Sequence, residues 1–125
     1  MERGKGSSGT LGPKKGDREE GRGGVILESA ILNVKTGQEA SFEAAMREAR
    51  PLIAATPGFQ QIEVRPCIET PGRYLLLVWW DTLEAHTVGF RQSTRYACWR
   101  ALLHHFYEPF PLVEHYGAPI DENRQ

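Results

Sequence analysis

The stretch Arg73-Tyr-Leu-Leu-Leu-Val-Trp-Trp80 constrains this chain more than any other. From Leu75 to Trp80 the residues are apolar without a break, so neither face of an extended strand here carries a polar side chain. Such a strand belongs in the centre of a sheet that is covered on both sides. Alternation sends Tyr74, Leu76, Val78 and Trp80 to one face and Leu75, Leu77 and Trp79 to the other. One set is expected to meet the helices of its own domain. A domain of about 100 residues has too few elements to cover the second. A second copy of the chain is expected there, giving a homodimer.

The flanking pattern fits a small sheet protein. Val25 to Val34 is apolar and rich in β-branched residues, hence a first strand. Lys35-Thr36-Gly37 breaks it, and Thr36 with Glu39 has capping-box spacing, which predicts a helix start. Phe42, Ala45, Met46, Ala49 and Ile53 recur at helical spacing, with Glu43 and Arg47 paired i,i+4 on another face. Pro51 is expected to end or kink this helix. Phe59 to Ile68 alternates as a half-buried strand, with Ile62, Val64 and Ile68 on one face, and Pro66 assigns its end to a sheet edge. Thr70-Pro71-Gly72 is a turn.

After the central strand, Asp81 and Glu84 form a second capping-box pair, so a second helix is expected to begin at once. Leu83, His86, Thr87 and Phe90 would share its inner face. A further helical segment follows Ser93-Thr94, and Leu112 to Tyr116 is a short last strand. The order β-α-β-β-α-β predicts an α+β fold, the ferredoxin-like plait, with a four-stranded antiparallel sheet and both helices on one face.

Residues 1–24 differ from the rest. They hold eight of the chain's 13 glycines, with six Lys/Arg against four Asp/Glu and little apolar surface. They are expected to be a disordered tail, followed by a domain at 25–117 and a polar tail at 118–125. Removing the tail's surplus of two positive charges from the net −1 leaves the remainder at −3, which disfavours nucleic acid as a partner. No apolar run approaches the roughly 18 residues of a membrane span, and the N-terminus lacks the apolar core of a secretory leader. Cys67 and Cys98 are isolated, which argues against a zinc ribbon or redox motif and for a cytoplasmic location.

Aromatic residues and histidines concentrate between Trp80 and Tyr116. His86 is the leading catalytic candidate: an inward histidine close to a tryptophan serves as a general base or orients an anion. The alternative is a core histidine bonded to a buried carbonyl. His104 and His105 are adjacent and point about 100° apart on a helix, so they do not chelate one metal. His115 and Tyr116 alternate, so His115 enters a pocket or sits at a dimer seam. Arg91 and Arg95 either neutralise an acidic substrate or form a solvated helix face. There is no GxGxxG, P-loop, HExxH or GxSxG motif, so nicotinamide, nucleotide, zinc-protease and serine-hydrolase readings lack support, and no metal site is expected.

The run Trp80-Asp-Thr-Leu-Glu-Ala-His86 resembles the tryptophan-to-helix junction of antibiotic biosynthesis monooxygenase-like domains. Ala54-Ala-Thr-Pro-Gly58 is similar to the turn that ends their first helix. Gly89-Phe-Arg91, Ser93, Trp99, His105-Phe-Tyr-Glu-Pro-Phe-Pro111 and Val113-Glu-His-Tyr116 resemble one subgroup of unassigned substrate. The likeness spans about residues 25–117. It implies a dimeric α+β barrel, with a pocket between each sheet and its helices. Some such proteins oxidise phenols or quinols with O₂ and no metal or flavin. The resemblance therefore implies a cofactor-independent monooxygenase acting on a small aromatic molecule. Trp80, Phe90 and Trp99 would line its pocket. His86 would act as base or anion-orienting donor, and Arg91 or His115 would assist. Two alternatives stand beside it: a non-catalytic dimeric module that binds a small ligand, and a haem-binding or haem-degrading relative using His104 or His105.

Overall fold

The computed structural model describes residues 25–121, so the expected tail at 1–24 and the last four residues of the C-terminal tail lie outside the described residues. Ile26–Tyr116 forms one compact unit. Its elements are β1 (Ile26–Asn33), α1 (Glu39–Ala54), β2 (Phe59–Pro66), β3 (Arg73–Trp80), a π-helix (Ala85–Phe90), α2 (Thr94–Leu103), a short 3₁₀ turn (His104–Phe106) and β4 (Val113–Tyr116). The strands make one antiparallel sheet in the order β2-β3-β1-β4, which is the ferredoxin-like plait.

β3 lies inside the sheet, as its composition requires. Tyr74, Leu76, Val78 and Trp80 are buried against the helices. On the same side of β1 lie Glu28, Ala30 and Leu32, also buried. α1 contributes Phe42, Met46, Ala49 and Ile53, and α2 contributes Trp99 and Leu103. Aromatic edges tie the layers together: Phe42 meets Tyr74 at 4.8 Å, and Phe90 meets Trp99 at 5.6 Å and 85°. The opposite sheet face carries Leu27, Ile31, Leu75, Leu77 and Trp79, with nothing of this unit over it. Ile31 is 50% exposed and Leu75 37%.

The structure corrects several local expectations. Thr36 does not cap α1. Gly37 turns the chain at φ +85°, the Gln38 amide donates to the Lys35 carbonyl, and the helix starts only at Glu39, beyond reach of a Thr36 cap. Pro51 does not end α1. The helix runs on to Ala54, because buried Ile53 anchors its last turn and the Pro51 carbonyl still accepts from the Ala55 amide. Ile68 lies past the end of β2 and is 94% exposed. Asp81 does not cap the second helical segment; it accepts from Gln60 Nε2 at 2.6 Å, while Thr82 Oγ1 accepts from the Ala85 amide. That segment is a π-helix. The Arg91 amide donates to the His86 carbonyl five residues back, so one turn is widened. Leu83 consequently falls off the buried stripe and is 40% exposed. Ser93 does begin α2: its hydroxyl accepts from the Tyr96 amide.

Gly58 sets where the π-helix sits. Its φ is +92°, and a Cβ there would stand 2.7 Å from Cβ of Ala85, the first residue of that helix. Its carbonyl also accepts from the Asp81 amide at 2.7 Å. Gly58→Ala is therefore expected to lower stability by at least about 1–2 kcal/mol from the left-handed backbone alone. Urea unfolding checks this. A loss under about 0.5 kcal/mol, the size of an ordinary surface change, would show that the close approach has no such role.

Candidate active site

β1 carries a carboxylate into the core. Glu28 shares the inward alternation of Ala30, Leu32 and Val34 and is only 5% exposed. Two groups meet its Oε1. The Trp80 indole Nε1–H donates to it at 2.9 Å, and His86 Nε2 stands 3.5 Å away. His86 is itself 3% exposed, and its ring stacks on Trp80 with centroids 5.3 Å apart and 20° between planes. On its other side, His86 Nδ1 lies 2.8 Å from His115 Nε2. His115 sits on edge strand β4, directly across from Glu28 in the β1–β4 register. Four elements thus build one cluster: β1, β3, the π-helix and β4.

The cluster opens on a cavity of about 180 Å³ between sheet and helices. Glu28, Ala30, Leu32, Leu76 and Val113 form its sheet side. His86, Phe90, Arg91, Tyr96 and Trp99 come from the helical side, and His104, Tyr107, Phe110 and Pro111 from the connection to β4. An engineered apolar cavity of about 150 Å³ holds one benzene ring. The present cavity is of that order and below the ~300–1,000 Å³ typical of pockets for drug-sized ligands. It is of the size of one aromatic ring. His104 lines it, whereas His105 is exposed.

Among the residues singled out from sequence, His86, Phe90, Arg91 and Trp99 line the cavity. Trp80 does not. It is fully buried and acts from behind the wall, through its stack on His86 and its hydrogen bond to Glu28. His115 also stands behind the wall, as the second partner of His86. Arg95 donates to Thr56 Oγ1 and has no place in the lining. The sequence reading missed Glu28, although its inward register with Ala30 and Leu32 was visible. It also missed Tyr96, Tyr107 and Phe110 as walls, since nothing local shows which aromatics face a space and which fill one.

Burial dominates the electrostatics. Loss of solvent raises the Glu28 carboxyl from 4.5 to about 7, against smaller opposing effects of the Trp80 hydrogen bond and the Arg91 charge. Loss of solvent likewise lowers His86 from 6.5 to about 3, helped by the charge of Arg91 and by His115. His115 is also held below the usual histidine value, by burial and then by Arg91. At neutral pH both imidazoles are neutral, and Glu28 stands near the midpoint of its titration. Among the described residues, no three His, Cys, Asp or Glu side chains are grouped to hold a metal ion. The two nitrogens of His86 point at different partners, so Glu28, His86 and His115 do not converge on a point.

These shifts have opposite signs for stability. Glu28, raised from 4.5 to about 7, is bound to a proton longer in the folded state, so stability falls as pH rises through that range. His86, lowered from 6.5 to about 3, stays neutral while the unfolded chain protonates, so stability falls as pH drops through that range. Between about pH 4.5 and 6.5 the two slopes cancel. Glu28→Gln removes one of them. The variant is expected to exceed the parent by up to about 3 kcal/mol at pH 8, the equivalent of the Glu28 shift, and to show no gain near pH 4. Chemical denaturation across pH reads this directly, and a gain independent of pH would contradict it.

Comparison with known proteins agrees with the fold. The antibiotic biosynthesis monooxygenase family profile matches residues 26–102. The uncharacterized protein YczJ of Bacillus subtilis is 49% identical over 92 residues, covering 74% of this chain and 97% of that protein. A crystal structure from Bordetella bronchiseptica, named as a candidate antibiotic biosynthesis monooxygenase, superposes with a TM-score of 0.74 at 38% identity, covering 78% of this chain and 99% of the other. SnoaB, a cofactor-independent oxygenase of Streptomyces nogalater, has a TM-score of 0.59 at 17% identity, covering 77% and 92%; that is a likeness of fold. Among the described residues no helix is long and apolar enough to cross a membrane. On the profile match and on the extent of the YczJ similarity, the chain belongs to the antibiotic biosynthesis monooxygenase family.

Proposed function

We propose that this protein is a cofactor-independent monooxygenase that takes a one-ring phenol or quinol into the cavity between sheet and helices. The observation that carries this reading is the cavity itself: about 180 Å³, walled by Phe90, Trp99 and aliphatic side chains, with the Glu28–His86 pair and Arg91 at one region of its surface. An apolar slot with a few convergent polar groups is the usual form of a small-molecule site. A phenol needs little more. Its hydroxyl proton is removed, the phenolate passes an electron to O₂, and the two radicals join at ring carbon. Loss of water then leaves a quinone, so phenol and O₂ give quinone and water, and the substrate supplies all the electrons. Arg91 is placed to stabilise the phenolate, and Phe90 and Trp99 to keep the ring flat and water out. His86 acts at the hydroxyl end of the ring, beside Glu28.

Oxygen uptake with hydroquinone and catechol, read together with quinone absorbance, is the test. Uptake by the parent and a loss of roughly a hundredfold or more in His86→Ala are expected. An unchanged rate in that variant would remove His86 from the mechanism. Binding of these phenols with no oxygen consumed would favour the non-catalytic ligand-binding reading instead.

The same proposal includes a homodimer. Leu27, Ile31, Leu75, Leu77 and Trp79 form an apolar stripe on the open sheet face, interrupted on β1 by Ser29, with polar Gln61, Glu63 and Arg65 of β2 on one flank and Glu114 of β4 on the other. An apolar centre with a polar rim is how lasting interfaces are composed. A cytoplasmic setting accords with Cys67 and Cys98, both free thiols. Leu77→Arg puts a charge at the centre of the stripe and is expected to convert dimer to monomer at micromolar concentration, as read by light scattering after size exclusion. A parent protein that is already monomeric there would overturn the dimer.

A further inference from the structure

We infer that Glu28 is the group that accepts the proton of the bound hydroxyl, and that neutral His86 positions it rather than taking the proton itself. This deepens the function proposed above and rests on that reading of the cavity. The geometry assigns the roles. Both ring nitrogens of His86 face protein groups: Nδ1 lies 2.8 Å from His115 Nε2, and Nε2 stands 3.5 Å from Glu28 Oε1. In the tautomer whose Nδ1 accepts from His115, Nε2 carries the ring proton and has no lone pair for a substrate. On Glu28, the Trp80 hydrogen bond and the His86 approach both fall on Oε1. Among the described residues Oε2 takes no hydrogen bond, and Glu28 is the only carboxylate lining the cavity. A ring hydroxyl inside the cavity meets the Glu28 carboxylate, which lines it.

Each contact has a function in this arrangement. With Glu28 ionised, the Trp80 Nε1–H donates to Oε1, and His86 Nε2 stands 3.5 Å from the same oxygen. His86 Nδ1 then accepts from the His115 Nε2–H, which fixes the tautomer of His86. The groups facing Glu28 are thus Trp80 from β3, His86 from the π-helix, His115 from β4 and the charge of Arg91. The step is a proton transfer only. The substrate O–H bond breaks, its electron pair stays on the substrate oxygen, and a new O–H bond forms at Glu28 Oε2. Carboxylate and phenol become carboxylic acid and phenolate, with charge conserved and nothing oxidised or reduced. The pair carries one negative charge and one proton before and after the step, so the apolar walls exclude only the state with two adjacent anions.

Calorimetric titration with 4-nitrophenol at pH 8, repeated in two buffers of different ionisation heat, tests the assignment. Both the probe and Glu28 are then mostly ionised while free, and the complex holds one proton between them. About one proton is expected to be taken up per probe bound by the parent. In Glu28→Gln uptake is expected to fall close to zero with binding retained. Glu28→Asp, which keeps a carboxyl, is expected to keep the uptake, so a fold defect in one variant does not decide the result. Failure of the parent to bind the probe, binding without proton uptake, or equal uptake in Glu28→Gln would each overturn the inference. Oxygen consumption is read separately. Proton uptake without oxygen consumption defeats the monooxygenase reading alone, and oxygen consumption with unchanged uptake in Glu28→Gln defeats this inference alone.

Discussion

Desolvation of one carboxylate governs the candidate site of this protein. Glu28 stands on a strand whose neighbouring inward residues are Ala30 and Leu32, and among the described residues no lysine or arginine forms an ion pair with it. An uncompensated buried anion is costly. The fold meets that cost partly with the Trp80 indole N–H and the adjacent imidazole, and partly by letting the carboxyl titrate near neutrality. The same burial that weakens the fold at high pH makes the group suitable for proton transfer there. Stability and chemistry are two readings of one desolvation.

Trp80 is the mechanical centre of that arrangement. Its ring is fully buried, its face supports the His86 ring, and its edge holds Glu28. The backbone that follows must then return a histidine over the indole within six residues. The π-helix widens one turn, and its first residue can approach the β2 turn only because Gly58 has no side chain. The local departures from regular geometry lie beside the candidate chemistry, as often happens where backbone irregularity re-aims a side chain.

The gross plan was legible in the amino-acid order. The unbroken apolar run at Leu75–Trp80 marked the interior strand, and period-two alternation sorted its two faces correctly, since Tyr74, Leu76, Val78 and Trp80 are the buried set. The stripe of Phe42, Met46, Ala49 and Ile53 marked the buried side of α1. Capping signals were less reliable. Thr36 and Asp81 had the right spacing, yet a turn residue in one case and a competing Gln60 in the other removed them from the role. Local hydrogen-bond partners are chosen among everything within reach, and sequence spacing shows only the near ones.

The candidate site was legible in part. His86 could be singled out because it follows Trp80 by six residues on an apolar stripe. Glu28 and His115 could not be joined to it, since they lie 58 and 29 residues away along the chain and meet only through strand pairing and the return of β4. Composition and periodicity by themselves determined the order of strands and helices and which faces are apolar, because those depend on side-chain character at short spacing. Only the tertiary structure decided that a carboxylate, two imidazoles and an indole share one buried cluster beside an open space, because proximity across a sheet is a property of packing and register.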